Sequence, residues 1–158
     1  MKPDKEINND NLQRELRSLR NPEKANFLAR YFKTGKGQYA EGDIFLGGII
    51  TADATKIAKK YQNLSLKEVE KLLRSKYHEE RSVALGILCL QYKKAKHTTK
   101  KKIYDLYLKN TKYINNWDLV DISADKIVGN YIIENPQEIK VLEKLCRKLI
   151  RCCPEKRE

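Results

Sequence analysis

The sequence predicts an all-α protein assembled from consecutive antiparallel helix pairs. Three observations lead there. Prolines stand only at positions 3, 22, 136 and 154, so the long interval from Pro22 to Pro136 is free of that helix breaker. Apolar residues recur through it at spacings of three and four, the period of helices buried on one face. No run alternates polar and apolar residues between hairpin turns, so strands are not needed.

The elements follow in order. Leu12, Leu16 and Leu19 recur at helical spacing. Asn21-Pro22-Glu23 then supplies a capping side chain, a first-turn proline and an acid favoured by the helix dipole, predicting a second helix that runs to about Phe32. Residues 33–43, with glycines at 35, 37 and 42, read as a loop. Gly35-Lys36-Gly37 lacks P-loop spacing and no hydrophobic strand leads into it, so it reads as a mobile basic loop rather than a nucleotide site. Ala54 to Tyr61 gives a short helix, and Ser65-Leu66-Lys67-Glu68 is a capping box opening another, with Leu66, Val69, Leu72 and Leu73 on one face.

A break is expected over Ser75–Glu79, then a longer helix carrying Val83, Ala84, Ile87, Leu88 and Tyr92 and ending in the basic run Lys93 to His97. Thr98 or Thr99 opens the next, which turns Ile103, Leu106 and Tyr107 inward and ends near Asn110. Asn115 or Asn116 can cap one further helix through Leu119, Val120, Ile127, Val128 and Tyr131 to Asn135-Pro136, and a last one is predicted from Glu138 to about Arg151. Antiparallel pairs of this length predict a helical-repeat solenoid with a concave face. A compact bundle gives a similar pattern, and the pairs share too little sequence to choose.

The 158 residues fit one domain, 1–158, able to bury a core without metal or disulfide staples. Lys and Arg outnumber Asp and Glu by 33 to 21, a formal charge of +12 that a polyanion would neutralise. Nucleic acid is the first candidate; a solvated, lysine-rich surface is the bland alternative. The cysteines Cys89, Cys146, Cys152 and Cys153 show no C-x-x-C spacing and no nearby histidine, so reduced thiols and no metal site are expected. The polar N-terminus and the lack of a long apolar run predict a cytoplasmic protein without membrane contact.

Trp117, the single tryptophan, stands at a helix start, and Asp121 follows one turn later on the same face. Two readings are open. An indole and a carboxylate can form a shallow cleft that holds a base or sugar and stabilises developing positive charge. Equally, Asp118 and Asp121 can serve the helix N-terminus while Trp117 packs as a staple.

Asn21-Pro22-Glu23-Lys24-Ala25, Ala29-Arg30-Tyr31-Phe32-Lys33, Phe45-Leu46-Gly47, Gln91-Tyr92-Lys93-Lys94 and Trp117-Asp118-Leu119-Val120-Asp121, in this order, resemble the DNA alkylation repair family of alkylpurine glycosylases. The resemblance covers residues 8–135 and implies a right-handed solenoid of HEAT-like helix pairs binding duplex DNA on a basic concave face. It implies hydrolytic excision of cationic N3- and N7-alkylated purines, left in the stack rather than flipped out, with no cofactor. By the family's motif Asp121 is catalytic, Trp117 and Tyr31 line the lesion cleft, and Asp118 is a bystander. Such a purine already carries the charge that makes it leave, so a carboxylate that stabilises the oxocarbenium-like sugar and orients water suffices.

Lys93, Lys94 and Lys96 crowd a helix connection, and Lys33, Lys36 and Lys112 are expected near the cleft; as a set they are read as phosphate contacts, with solvated surface the alternative for each. Residues 136–158 match no family motif, and an arginine and an aromatic of the family cleft have no counterpart. The expectation is a member truncated at the C-terminus, its solenoid incomplete and able to self-associate through an uncapped repeat.

Overall fold

The computed structural model describes residues 7–47, 49 and 51–145. These form eight named α-helices: α1 (Asn9–Ser18), α2 (Pro22–Ala29), α3 (Thr51–Lys60), α4 (Leu66–Leu73), α5 (His78–Lys94), α6 (His97–Lys109), α7 (Trp117–Asp121) and α8 (Asn130–Glu134). A 3-10 turn, Thr111–Tyr113, precedes α7; a π turn, Asp125–Gly129, leads into α8; and a second 3-10 turn, Pro136–Ile139, passes into helical residues 140–145. Among the described residues there is no strand, only an isolated bridge between Ile44 and Tyr77. Cys146, Cys152, Cys153 and the end of the last predicted helix lie outside the described residues.

The caps form largely as their residue types require. Asn21 Oδ1 accepts from the Lys24 amide at 3.0 Å with Pro22 in the first turn, and Ser65 and Glu68 complete a reciprocal capping box. Four boundaries differ from expectation. Helix α2 stops at Ala29 because the amides of Arg30 and Tyr31 close tighter turns onto Phe27 and Leu28. Helix α5 starts at His78, since hydrogen bonds from Ile44 N to Lys76 O and from His78 N to Ile44 O hold Tyr77 extended at its cap. Glu79 and Glu80 thus occupy a first turn, where the dipole favours them, instead of a break. Helix α6 starts at His97, one or two residues early. The helix expected from Asn116 to Tyr131 is interrupted by the π turn, where Ser123 Oγ and Lys126 Nζ donate to the carbonyls of Leu119 and Ile122.

Helix α5 is the centre of the fold. Apolar side chains almost all round it, including Val83, Ala84, Leu85, Ile87 and Leu88, are buried against α3 and α4 on one side and α6, α7 and the π turn on the other. The contacts fix directions. Gly86 meets Ala58 and Gln91 meets Gln62, so α3 runs parallel to α5, while α4, which begins beside Gln91 and ends beside the start of α5, runs back between them. His78 meets Asp118 and Cys89 meets Ile122, so α7 also runs parallel to α5. Tyr107 bonds Ser123 while Tyr104 stacks on Tyr131, so α6 runs antiparallel to that segment. Each helix is thus followed by its reverse and then by a parallel successor, the pattern of a helical-repeat stack. The all-α architecture fits a helical-repeat solenoid.

Candidate nucleic-acid interface

The site grows from residues 43–47. Gly47 adopts φ +76°, and a Cβ there would lie 2.1 Å from Ala25 N and 2.5 Å from Asn21 O, so only glycine permits this approach to α2. Leu46 O accepts from Asn21 N at 2.9 Å. On the other side the buried Glu79 carboxylate accepts from Leu46 N and Gly47 N at 2.9 and 2.8 Å. The segment Phe45-Leu46-Gly47 is therefore clamped between α2 and the first turn of α5.

That clamp aims Phe45 into a column of rings. Phe45 stacks on His78 at 4.7 Å and on Phe32 at 4.8 Å, and Phe32 lies 5.9 Å from Trp117 with the planes 15° apart. The outer ring, Trp117, is 57% exposed, whereas the His78 side chain is 7% exposed. His78 also returns to the neighbour of that tryptophan: Nε2 lies 2.7 Å from Asp118 Oδ2. Its Nδ1 lies 3.0 Å from Asn116 Nδ2, which donates to Asp43 Oδ2 at 2.6 Å, and Asp43 is paired with the buried Arg81 at 2.5 Å. Asn116 consequently does not cap α7 with its side chain. Asp118, which the family motif leaves outside the chemistry, ties the start of α7 to His78, because a first-turn acid on this short helix faces the N-terminus of α5.

Asp121 sits at the end of α7, one turn from Trp117 and exposed; among the described residues no hydrogen bond or ion pair engages its carboxylate. Tyr31, 64% exposed, meets the Phe27 ring edge-on at 5.2 Å. Its chain neighbour Phe32 is the ring against Trp117.

The lysines divide into two sets. Lys33 and Lys36 are exposed on the 33–43 loop, which Asn115 Nδ2 holds through the Tyr39 carbonyl at 2.6 Å. Lys112 lies just before α7, its Nζ 4.8 Å from the centre of the Tyr113 ring. Lys93 and Lys94 occupy the last turn of α5, roughly 23 Å along its axis from His78, with Lys96 just beyond. Lys94 Nζ donates to Gln62 Oε1 at 2.6 Å. These three are not beside the Trp117 surface. Cys89 is packed near Ile122, and burial pushes its thiol up to about 11, as suits an inert small hydrophobe.

Sequence reasoning missed Asp43, Phe32, Phe45, His78, Glu79 and Arg81. A signal was present: His78-Glu79-Glu80-Arg81 puts four polar residues at the head of an apolar run, and all four are buried. Such a cluster needs partners inside the protein. Among the described residues no group of three or more His, Cys, Asp or Glu side chains is placed to hold a metal ion, and no helix is long and apolar enough to cross a membrane.

Compared with known proteins, residues 12–149 match the model of one family, described as DNA alkylation repair enzyme. The match runs past Pro136 into the segment that the sequence motifs left apart. No curated protein and no solved structure gives a match. With a single family spanning nearly the whole chain and an all-α repeat stack beneath it, this protein belongs to the DNA alkylation repair enzyme family, whose partner is DNA.

Proposed function

We propose that this chain is a monofunctional DNA glycosylase that hydrolyses the bond between deoxyribose and cationic N3- or N7-alkylated purines in duplex DNA. One observation carries the reading. An exposed indole backed by a column of rings shares a five-residue helix with a carboxylate that no other described group engages. Trp117 and Tyr31 offer aromatic faces to a cationic, partly desolvated nucleotide. The C1′–N bond breaks with its electron pair going to the purine, which leaves neutral. Asp121 stabilises the oxocarbenium-like sugar and accepts a proton from the water whose oxygen bonds C1′. Lys33, Lys36 and Lys112 hold phosphates around the lesion, and Lys93, Lys94 and Lys96 extend backbone contact along the stack.

The test is release of methylated purine from alkylated duplex DNA. Wild-type protein is expected to release it, and Asp121→Asn to lose at least about a hundredfold in rate, the scale of a removed transition-state electrostatic group. Salt-sensitive duplex binding without any base release by the wild type would overturn the catalytic reading in favour of a noncatalytic DNA-binding repeat. Exposed Ile133, Ile139 and Leu142 on the last described elements support a further reading, self-association of this end of the stack.

A further inference from the structure

The hydrogen-bond chain Asp43–Asn116–His78–Asp118 fixes a proton. Asp43 Oδ2 accepts from Arg81 and, as a carboxylate, can only accept from Asn116, so the Asn116 amide presents its nitrogen there. The same nitrogen faces His78 Nδ1 at 3.0 Å. An amide N–H donates, so Nδ1 is the acceptor and the single ring proton of the neutral imidazole sits on Nε2, which donates to Asp118 Oδ2. The reverse amide orientation would set an oxygen against the Asp43 carboxylate.

This chain and the ring column close on each other. From His78, one route runs through Phe45 and Phe32 to the Trp117 indole, and the other runs directly to Asp118, the next residue. A third contact reaches Asn116, the residue before them. Three successive residues at the start of α7 are thus referred to one buried imidazole on α5. Asp121 lies on the same five-residue helix, too short to hold an orientation by its own hydrogen bonds.

We propose that His78, as its neutral Nε2–H tautomer, is a positioning residue that sets Trp117 and α7, and through them Asp121, for the reaction. The activity part rests on the glycosylase reading above. The groups facing the ring are Asn116 ahead of α7 and Asp118 within it, Asp43 with its partner Arg81 behind Asn116, and the faces of Phe32 and Phe45. Glu79, the next residue, is taken up by the Leu46 and Gly47 amides. A proton added at Nδ1 sets two donors face to face. To relieve that, Asn116 must turn away from Asp43, leaving the buried Asp43–Arg81 pair without one of its bonds.

The chain contains two histidines and one tryptophan, so each report is assignable in the intact protein. Long-range NMR of isotope-labelled imidazoles, with His97→Phe to assign the spectrum, is expected to find His78 protonated at Nε2 and bare at Nδ1. An Nδ1–H tautomer would overturn the proposal. His78→Phe keeps a ring on Phe45 and removes both polar arms. It is expected to change Trp117 emission in the DNA-free protein. It is also expected to lower kcat by about tenfold with a smaller change in KM, while Asp118→Ala reproduces the effect. Loss of stability alone would move the melting temperature without this pattern. A folded His78→Phe protein with wild-type emission and wild-type base release would refute the role. If wild-type protein releases no alkylpurine, the glycosylase reading fails by itself, and the tautomer and emission still judge the positioning of α7.

Discussion

Replacing Glu79 separates two opposed terms at the clamp that shapes the site. Its carboxylate is buried, 6% exposed, and accepts from two backbone amides, Leu46 and Gly47, at 2.9 and 2.8 Å. Among the described residues no cation is paired with it, so the cost of burying the charge is met by the amides alone. Glu79→Ala strands both donors. At roughly 1–3 kcal/mol for each buried donor left without a partner, the loss is about 3 kcal/mol. For a chain of this size that is a fall of roughly 9 °C in melting temperature. Glu79→Gln keeps one acceptor and turns an N–H toward the other amide, so about half the loss is expected. Thermal unfolding followed by far-ultraviolet circular dichroism measures both. If burial of the charge outweighs the two bonds, Glu79→Gln raises the melting temperature instead, and the reasoning is refuted. Equal losses for Gln and Ala would also refute it, because the retained acceptor would then count for nothing.

Gly47→Ala adds a Cβ within 2.5 Å of two α2 atoms at a left-handed φ, so a loss of about 3 kcal/mol or more is expected, with a shift in Trp117 emission as Phe45 lifts from beneath Phe32. Alkali should destabilise the fold through Tyr107, whose hydroxyl is buried against Ser123 and whose pKa burial pushes up to about 12. The unfolded chain loses that proton near pH 10 and the native one near pH 12, so stability is full below pH 10 and declines above it. The Tyr107 share reaches about 2–3 kcal/mol, and denaturant unfolding of Tyr107→Phe should show a shallower decline over that window. Ile133, Ile139 and Leu142 should drive concentration-dependent association, and sedimentation of Ile133→Glu should show less of it; equal association would locate the contact elsewhere.

The caps at Asn21 and Ser65, where a side chain bonds its own helix, were legible in the sequence. Asn21 and Ser65 act on amides three residues away, and local chemistry decides such contacts. Asn116 has the same residue type and a helix after it, yet its amide is drawn to Asp43 and His78, residues 73 and 38 positions distant. The break expected over Ser75–Glu79 failed for the same reason. Its polar residues read as a loop until Ile44 bridges Tyr77 and the loop amides of Leu46 and Gly47 reach Glu79.

The sequence by itself determined the helical class, the order of the pairs and the family motifs, Trp117 and Asp121 among their residues. These depend on periodicity and local identity, which a linear chain carries in full. Only the tertiary structure decided which acid is committed and which is free. Asp118 and Asp121 are three residues apart on one short helix, but the former faces the head of α5 and is held by His78. The latter has turned to the surface, and no described group holds it. Direction around a helix axis is invisible until neighbouring helices are in place, and here α5 is the neighbour that decides it.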